Sequence, residues 1–132
     1  MLGINEKLIE NSISFEKLWE NSNTEINFES QNVELPDLSN YKFLMILFYS
    51  WNRNKGIQTV IIPCIDGTSA NLDCTIFANS TMHFGTRLAK VDVTNNKIYF
   101  DTNHGWVSAT GVNVDDAWNV PYQIYGLKIP LK

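Results

Sequence analysis

The residues of this sequence best suited to metal chemistry are two histidines and two cysteines. His83, His104, Cys64 and Cys74 carry the donor atoms of a zinc site, but their spacing matches no zinc motif. Each also has a simpler reading as a core thiol, a histidine at a strand edge or a histidine in a loop. We therefore predict neither a bound metal nor another cofactor.

Catalytic groups are equally sparse. The sequence contains no Gly-x-Ser-x-Gly motif and no catalytic-cysteine signature. Asp101 and His104 could form a base and its orienting carboxylate, although surface polarity in an Asn-rich loop explains both. Asp115 and Asp116 are adjacent and tend to point apart, whereas a glycosidase holds its carboxylates roughly 5–9.5 Å apart across a cleft. We predict that the chain is not an enzyme.

Tryptophans are the more suggestive residues. Trp51, Trp106 and Trp118 all fall at predicted strand ends or in loops, where burial is not automatic. An indole displayed there can stack on the apolar face of a sugar, while Asn, Asp and His nearby bind its hydroxyl groups. Because tryptophan is usually highly buried, at least one of the three is expected in the core. The predicted glycan-binding residues are Trp106, His104, Asp101 and Trp118.

Composition and charge narrow the classes of partner. The 132 residues are 44% hydrophobic and only 18% charged, with a formal charge of -4. Nucleic-acid affinity comes mainly from Lys and Arg on phosphates, and the longest basic stretch is Arg53-Asn-Lys55. The sequence has no apolar segment of membrane-spanning length and no basic amphipathic helix. We predict binding to neither nucleic acid nor membrane.

The N-terminus and the cysteines bear on the cellular compartment. Residues 1–6 lack the basic and apolar regions of a signal peptide, so synthesis in the cytoplasm without standard export is expected. Cys64 and Cys74 could face each other across a hairpin, but two cysteines are not a disulfide framework. Two buried free thiols are the favoured interpretation.

The fold prediction starts from the longest apolar run, Tyr41 to Trp51. Turn-forming residues flank it on both sides, and its aromatic and β-branched residues favour a strand over a helix. Alternate residues of this central strand are apolar on both faces, so we expect both faces to be covered by other strands.

The remainder of the chain alternates with a period of two. Further strands are predicted from Leu18, through Ile26 to Leu35, and over the segments Ile57–Pro63, Leu72–Phe77, Thr81–Gly85, Leu88–Val93, Lys97–Asp101 and Val120–Ile129. Thr94–Lys97 closes a predicted hairpin, and Thr102–Asn119 is predicted to be a loop. About eight short strands with regular turns indicate an all-β, antiparallel, jelly-roll-like sandwich over residues 17–132. Residues 1–16 are predicted to hold a short helix, Ile4–Ile13, or a frayed tail.

Four passages resemble the C-terminal, distal-tip domains of tail-fibre and receptor-binding proteins in phages and prophages of Firmicutes. They are the Leu-Trp opening at 18–23, a strand followed by Leu-Ser-x-Tyr at 28–41, the Ile-Ile-Pro strand end at 60–63, and the closing Val-Pro-Tyr-Gln-Ile-Tyr-Gly-Leu-Lys at 120–128. These are scaffold motifs, so they carry over fold and context but no binding residues. Such domains usually end a longer protein, so a cut piece or a small subunit is expected.

The resemblance implies a homotrimeric, non-enzymatic module of the virion that contacts other tail proteins and binds a host cell-surface polysaccharide. The helix at 4–13 would then be the end of a trimeric stalk. Two alternatives stay open at this point. One is a structural tail or baseplate subunit without its own ligand, and the other is a small glycan-processing enzyme.

Overall fold

The computed structural model describes residues 13–52, 54–78, 80–107 and 111–129. Within them the chain forms ten β-strands and one turn of 3₁₀ helix, Leu38–Asn40. The strands are β1 Ser14–Glu20, β2 Gln31–Glu34, β3 Phe43–Trp51, β4 Asn54–Pro63, β5 Ser69–Ala78, β6 Thr81–Asp92, β7 Lys97–Phe100, β8 His104–Val107, β9 Gly111–Val114 and β10 Trp118–Lys128.

The strands form two antiparallel sheets, here called sheet I and sheet II. Sheet I has the order β1-β10-β3-β4. In sheet II, β5 pairs with β6 along its length, while β8 pairs with residues 83–86 of β6 and β7 with residues 89–92. Because His83 pairs with both Ile76 and Val107, β5 lies along one edge of β6 while β7 and β8 share the other. Strands β2 and β9 extend the sheet beyond β7 and β8.

The core lies between the two sheets and is built from alternate residues of each strand. Burying each aliphatic or aromatic side chain here contributes about 1.5–3 kcal/mol. The fully buried members are Leu38, Leu44, Ile46, Leu72, Ala89, Ile98, Phe100, Val120 and Ile124. The predicted all-β antiparallel sandwich is confirmed.

The central strand is covered on one face only, so the prediction that both faces are covered is wrong. Leu44, Ile46 and Phe48 face the core and are buried. Phe43 and Met45 point to the opposite face of sheet I and remain half-exposed. The physical reason is that the sandwich has two layers, so each sheet turns one face outward whatever its side chains are.

The region 102–119, predicted to be a loop, contains β8 and β9, so that prediction is wrong over both strands. Its Gly, Asn and Asp residues favour turns locally, but pairing of β8 with β6 and of β9 with β8 stabilises extended backbone. The strand predicted from Ile26 to Leu35 is too long, because only Gln31–Glu34 forms a strand there.

The predicted N-terminal helix lies outside the described residues except for Ile13. Ser14 to Glu16, predicted to precede the domain, belong to β1 and pair with Lys128 to Gly126. Among the described residues, no helix has the length and apolar character to span a membrane.

Candidate functional site

The candidate site lies on the outward face of sheet II, where β5, β6 and β8 run side by side. The register aligns Thr75, Phe84 and Trp106 in one row across the three strands. It aligns Asp73, Thr86 and His104 in the next row on the same face. The rows are two residues apart, or about 7 Å. Between them opens a cavity of about 450 Å³, which we call the aromatic groove and define by these six side chains.

One wall of the aromatic groove is an exposed pair of aromatic rings. Trp106 is 40% exposed and Phe84 is 42% exposed, although both side chains lie within regular strands. Their ring centroids are 5.4 Å apart with planes tilted by 45°. Large aromatic side chains left open beside a cavity mark a binding surface more often than a structural one.

The opposite wall is polar and is connected to the neighbouring loop. His104 Nε2 lies 3.8 Å from Asp101 Oδ2, and the Tyr99 hydroxyl donates to Asp101 Oδ1 at 3.3 Å. The backbone amide of Thr102 also donates to Asp101 Oδ1, at 2.8 Å. Partial desolvation and the negative charge of Asp101 raise the pKa of Tyr99, so this hydroxyl stays protonated at neutral pH. The wall offers both hydrogen-bond donors and acceptors.

The backbone between the two rows forms the floor of the groove. Gly85 pairs with Cys74 on one side and with Gly105 on the other. A Cβ atom added to Gly85 would point into the sandwich, 3.0 Å from Asn119 Nδ2 and 3.3 Å from Asn103 Nδ2. Both asparagines are buried, and Asn119 Nδ2 donates to Asn103 Oδ1 at 2.8 Å. A side chain at residue 85 would therefore crowd the two asparagines beneath the floor.

A buried arginine fixes the loops that flank the groove. Arg87, two residues beyond Gly85 on β6, is fully buried and donates hydrogen bonds to five backbone carbonyl groups. The acceptors are the oxygens of Phe28, Asp101, Asp116, Trp118 and Asn119. Arg87 thereby links β6 to the turn that carries Asp101 and to the start of β10.

Of the four predicted binding residues, His104 and Trp106 line the groove, while Asp101 lies beside His104 without lining it. Trp118 lies on the inward side of sheet II, where its ring stacks on His83 with centroids 5.2 Å apart and on Trp51 at 6.1 Å. Its Nε1 donates to Asp115 Oδ2 at 3.0 Å. Trp118 does not line the aromatic groove; it lines a smaller cavity together with His83, Phe84 and Gly105.

The adjacent aspartates have separate structural partners. Asp115 accepts from Trp118 and from the backbone amide of Ala117. Asp116 accepts from Thr102 Oγ1 at 2.6 Å and from the amide of Asn103 at 2.9 Å, and it lies 3.5 Å from Arg87 Nη1. The two carboxylates therefore point to different partners.

The possible metal donors are dispersed over the sandwich. His83 faces inward and His104 faces outward, and both cysteines are free, with Cys74 buried and Cys64 half-buried. Burial raises the pKa of Cys74 to about 11, so its thiol is protonated at neutral pH. No group of three or more His, Cys, Asp or Glu side chains in the described part of the chain is arranged to hold a metal ion.

Sequence reasoning missed four members of the groove, namely Asp73, Thr75, Phe84 and Thr86. All four alternate with inward-facing residues on the hairpin of β5 and β6. The signal was present in the spacing, because outward positions of a half-buried strand are normally polar and Phe84 is not. Pairing with β8 could not be anticipated from a segment that reads as a loop.

Comparison with protein-family models, curated proteins and solved structures finds no match to this chain. The resemblance to distal tail-fibre domains therefore rests on the four sequence passages alone and stays a prediction. What the geometry itself provides is an open, two-walled groove with one aromatic and one polar side.

Proposed function

We propose that this chain is a non-enzymatic adhesion module of a phage tail that binds a polysaccharide on the host cell surface. The aromatic groove is the observation that carries the proposal. It combines two exposed rings with hydroxyl, carboxylate and imidazole groups about 7 Å away. The resemblance to tail-fibre tips supports the phage context and implies other tail proteins as further partners.

A pyranose ring matches the two walls of the groove. Its C–H face can stack on Trp106 and Phe84, whose faces carry partial negative charge. Its hydroxyl groups, at the edge of the ring, can then reach Asp73, Thr86 and His104 on the polar wall. Ligand sites of this type combine apolar walls with a few polar groups that fix orientation.

The charge of the groove favours an uncharged sugar at this position. Among the described residues, neither Lys nor Arg lines it, and the carboxylate there, Asp73, is an acceptor for hydroxyl donors. An anionic sugar would be repelled by Asp73.

The outward face of sheet I supports assembly of several copies. Ile57, Ile61 and Phe15 are each more than half exposed there, and Phe43 and Met45 on the same face are half-exposed. The outward positions of β3, β4 and β10 in this region carry no charged residue, as the register shows. On β3 they are Phe43, Met45, Leu47 and Tyr49, on β4 Ile57, Thr59, Ile61 and Pro63, and on β10 Gln123, Tyr125 and Leu127.

The size and chemistry of this face fit a second copy of the chain better than a charged partner. Strands β3, β4 and β10 span roughly 14 Å by 30 Å along the nine residues of β3, or about 420 Å² of projected area. Stable interfaces bury about 800 Å² of accessible surface on each partner, and monomers rarely expose apolar patches larger than a few hundred Å². We propose a homotrimer closed through this face, in which weak binding at each groove is strengthened by avidity.

Binding is tested with whole host cells and a glycan array. Trp106→Ala is expected to weaken binding at least about tenfold, because an aromatic anchor at the centre of a site is worth more than 1.4 kcal/mol. Phe77→Ala is the matched control, since Phe77 is an exposed aromatic in the same sheet but outside the groove. Equal binding by Trp106→Ala and wild type would refute the proposed site. Release of reducing sugar from the bound polymer would refute the non-enzymatic assignment.

Assembly is tested by light scattering of a charged variant. Ile61→Lys places an ammonium group beside Met45 on the outward face of sheet I, and it is expected to convert trimers into monomers. Phe77→Lys makes the same type of change on sheet II and is expected to leave the mass unchanged. A wild-type chain that remains monomeric at high concentration would refute assembly without touching the glycan proposal.

A further inference from the structure

A second groove opens on the same outward face of sheet II, at the opposite end of β6. It encloses about 560 Å³, and Asn32, Lys90, Lys97 and Tyr99 contribute to its lining. Lys90 and Tyr99 are paired across β6 and β7, and Asn32 is the partner of Tyr99 on β2. We call this cavity the lysine groove and define it by these four residues.

Two carboxylates, Asp66 and Asp92, line the same cavity. Both lysines lie near enough to Asp92 to lower its pKa, although they form no direct contact with it. Neither ammonium group forms a hydrogen bond or an ion pair with any residue that the structure describes. Asp92 accepts two hydrogen bonds from Asn95, one from the amide and one from Nδ2. Asp66 accepts from the amide of Val93 at 2.8 Å and, more weakly, from Thr94 Oγ1 at 3.4 Å.

The carboxylates are therefore engaged in holding the turn between β6 and β7. The hydrogen bonds from Asn95 lower the pKa of Asp92, and the nearby lysines add to the effect, so this carboxylate is charged and held at neutral pH. The two ammonium groups keep their hydrogen-bond donors open to a ligand, and the charges of Asp66 and Asp92 offset theirs. Such groups bind carboxylate or phosphate oxygens through charge-assisted hydrogen bonds.

The lysine groove is aligned with the aromatic groove along one strand. The floors of the two grooves are centred on Gly85 and Val91, six residues apart on β6, which corresponds to about 20 Å. Leu88, 36% exposed, lies between them on the same face. The Tyr99 hydroxyl and His104 both contact Asp101, so a continuous series of polar side chains runs beside this path.

We infer that the ligand is an extended acidic polysaccharide that occupies both grooves at once. This inference rests on the proposed glycan-binding function and specifies the chemistry of its ligand. A neutral sugar lies against Trp106, and an acidic substituent further along the same polymer, a carboxylate or a phosphate, binds Lys90 and Lys97. Binding is to an internal stretch several sugar units long and not to a single terminal sugar.

The test uses wall polysaccharides of Gram-positive cells, separated by anion exchange into neutral, carboxylate-bearing and phosphate-bearing fractions. Wild type, the double variant Lys90→Gln/Lys97→Gln, Trp106→Ala and the control Lys42→Gln are compared by surface binding at low and high salt. Lys42 is an exposed lysine outside both grooves. The double variant is expected to bind one acidic fraction at least about tenfold more weakly and with less salt dependence, while Lys42→Gln binds like wild type.

The acidic fraction that shows this loss identifies the substituent as carboxylate or phosphate. Fragments of that fraction shorter than about 20 Å are expected to bind wild type and the double variant equally, because they cannot reach both grooves. Double-variant binding equal to wild type on every bound fraction, or wild-type binding to the neutral fraction alone, overturns this inference and leaves the glycan proposal intact. The glycan proposal itself is overturned if Trp106→Ala binds every fraction as well as wild type does, or if wild type binds no fraction.

Discussion

Replacing Arg87 by methionine is expected to destabilise the domain strongly. The side chain is fully buried, and its guanidinium group lies 5.4 Å from the centroid of the Phe28 ring. Burial lowers the pKa of Arg87 to about 10, and the charge of Asp116 opposes that shift, so the side chain is still cationic at pH 7. Methionine fills a similar length but donates no hydrogen bond.

The magnitude follows from the five carbonyl groups that would lose their donor. Those of Asn119 and Phe28 belong to buried residues, whereas Asp101, Asp116 and Trp118 are half-buried, where water can replace part of the loss. Leaving a buried acceptor unsatisfied costs about 1–3 kcal/mol. Two such acceptors, together with the lost ion pair, give about 4 kcal/mol, within the range of about 3–5 kcal/mol for breaking a buried charged contact. A loss of this size is a large fraction of the roughly 5–15 kcal/mol that stabilises a typical domain.

The assay is urea unfolding followed by tryptophan fluorescence. Arg87→Lys, which keeps the charge but offers at most three donors without the planar fork, is expected to lose about 2 kcal/mol and to fold even if Arg87→Met does not. Lys90→Met, an outward change on the same strand, is the matched control and is expected to change the free energy of unfolding by less than about 0.5 kcal/mol. A loss below about 1 kcal/mol in Arg87→Met would refute the reasoning.

Two further predictions concern Tyr41, which covers one end of sheet I. Gly126→Ala would place a Cβ atom 2.7 Å from Tyr41 Cε1, and such crowding is expected to cost about 1–3 kcal/mol of unfolding free energy; unchanged urea unfolding would contradict it. The Tyr41 hydroxyl donates to Glu16 Oε2 at 2.6 Å, and this hydrogen bond is the main cause of the lowered pKa of Glu16. Because the pKa of Glu16 is lowered in the folded state, this group contributes stability above its ordinary pKa of 4.5, and that contribution is lost as the pH falls below 4.5. Tyr41→Phe lacks the contribution and is therefore expected to lose less stability than wild type between pH 7 and pH 3. If urea unfolding showed that wild type and Tyr41→Phe lose the same free energy of unfolding between these two pH values, the prediction would be contradicted.

Local sequence signals were sufficient to predict the elements whose formation depends on their own residues. The apolar run at 43–51 and the β-branched run at 57–63 both form strands, and the hairpin predicted at Thr94–Lys97 joins β6 to β7. Asn96 in that turn has a φ of 52°, a left-handed conformation that asparagine tolerates better than most residues. Its Oδ1 accepts from the amide of Leu38 at 2.9 Å, a long-range contact that no local pattern could reveal.

The candidate site could be predicted only in part, because its assembly depends on pairing between distant segments. His104 and Trp106 were selected from a segment that reads as a loop, yet they lie in a strand whose position is set by β6. The row that joins Trp106 to Phe84 requires knowledge of that register. Trp118 had the same local signature as Trp106, but it lies at the start of β10 and turns inward toward His83. Residue type predicts which tryptophans could bind a ligand, but the face of the sheet to which each side chain points decides which of them is accessible to that ligand.

The proposed assembly and the proposed binding sites constrain each other through the two-layer architecture. A sandwich has only two broad outward faces, and a trimer closed through the outward face of sheet I leaves that of sheet II turned to solvent in every copy. Both grooves on β6 would then remain accessible in all three subunits, with each polymer path running along a strand and not across a subunit boundary. Ile61→Lys monomers that still bind fragments through Trp106 but lose avidity for whole cells would support assembly through sheet I and ligand binding through sheet II. If the substitution abolished binding of short fragments as well, the site would have to include residues from a neighbouring copy.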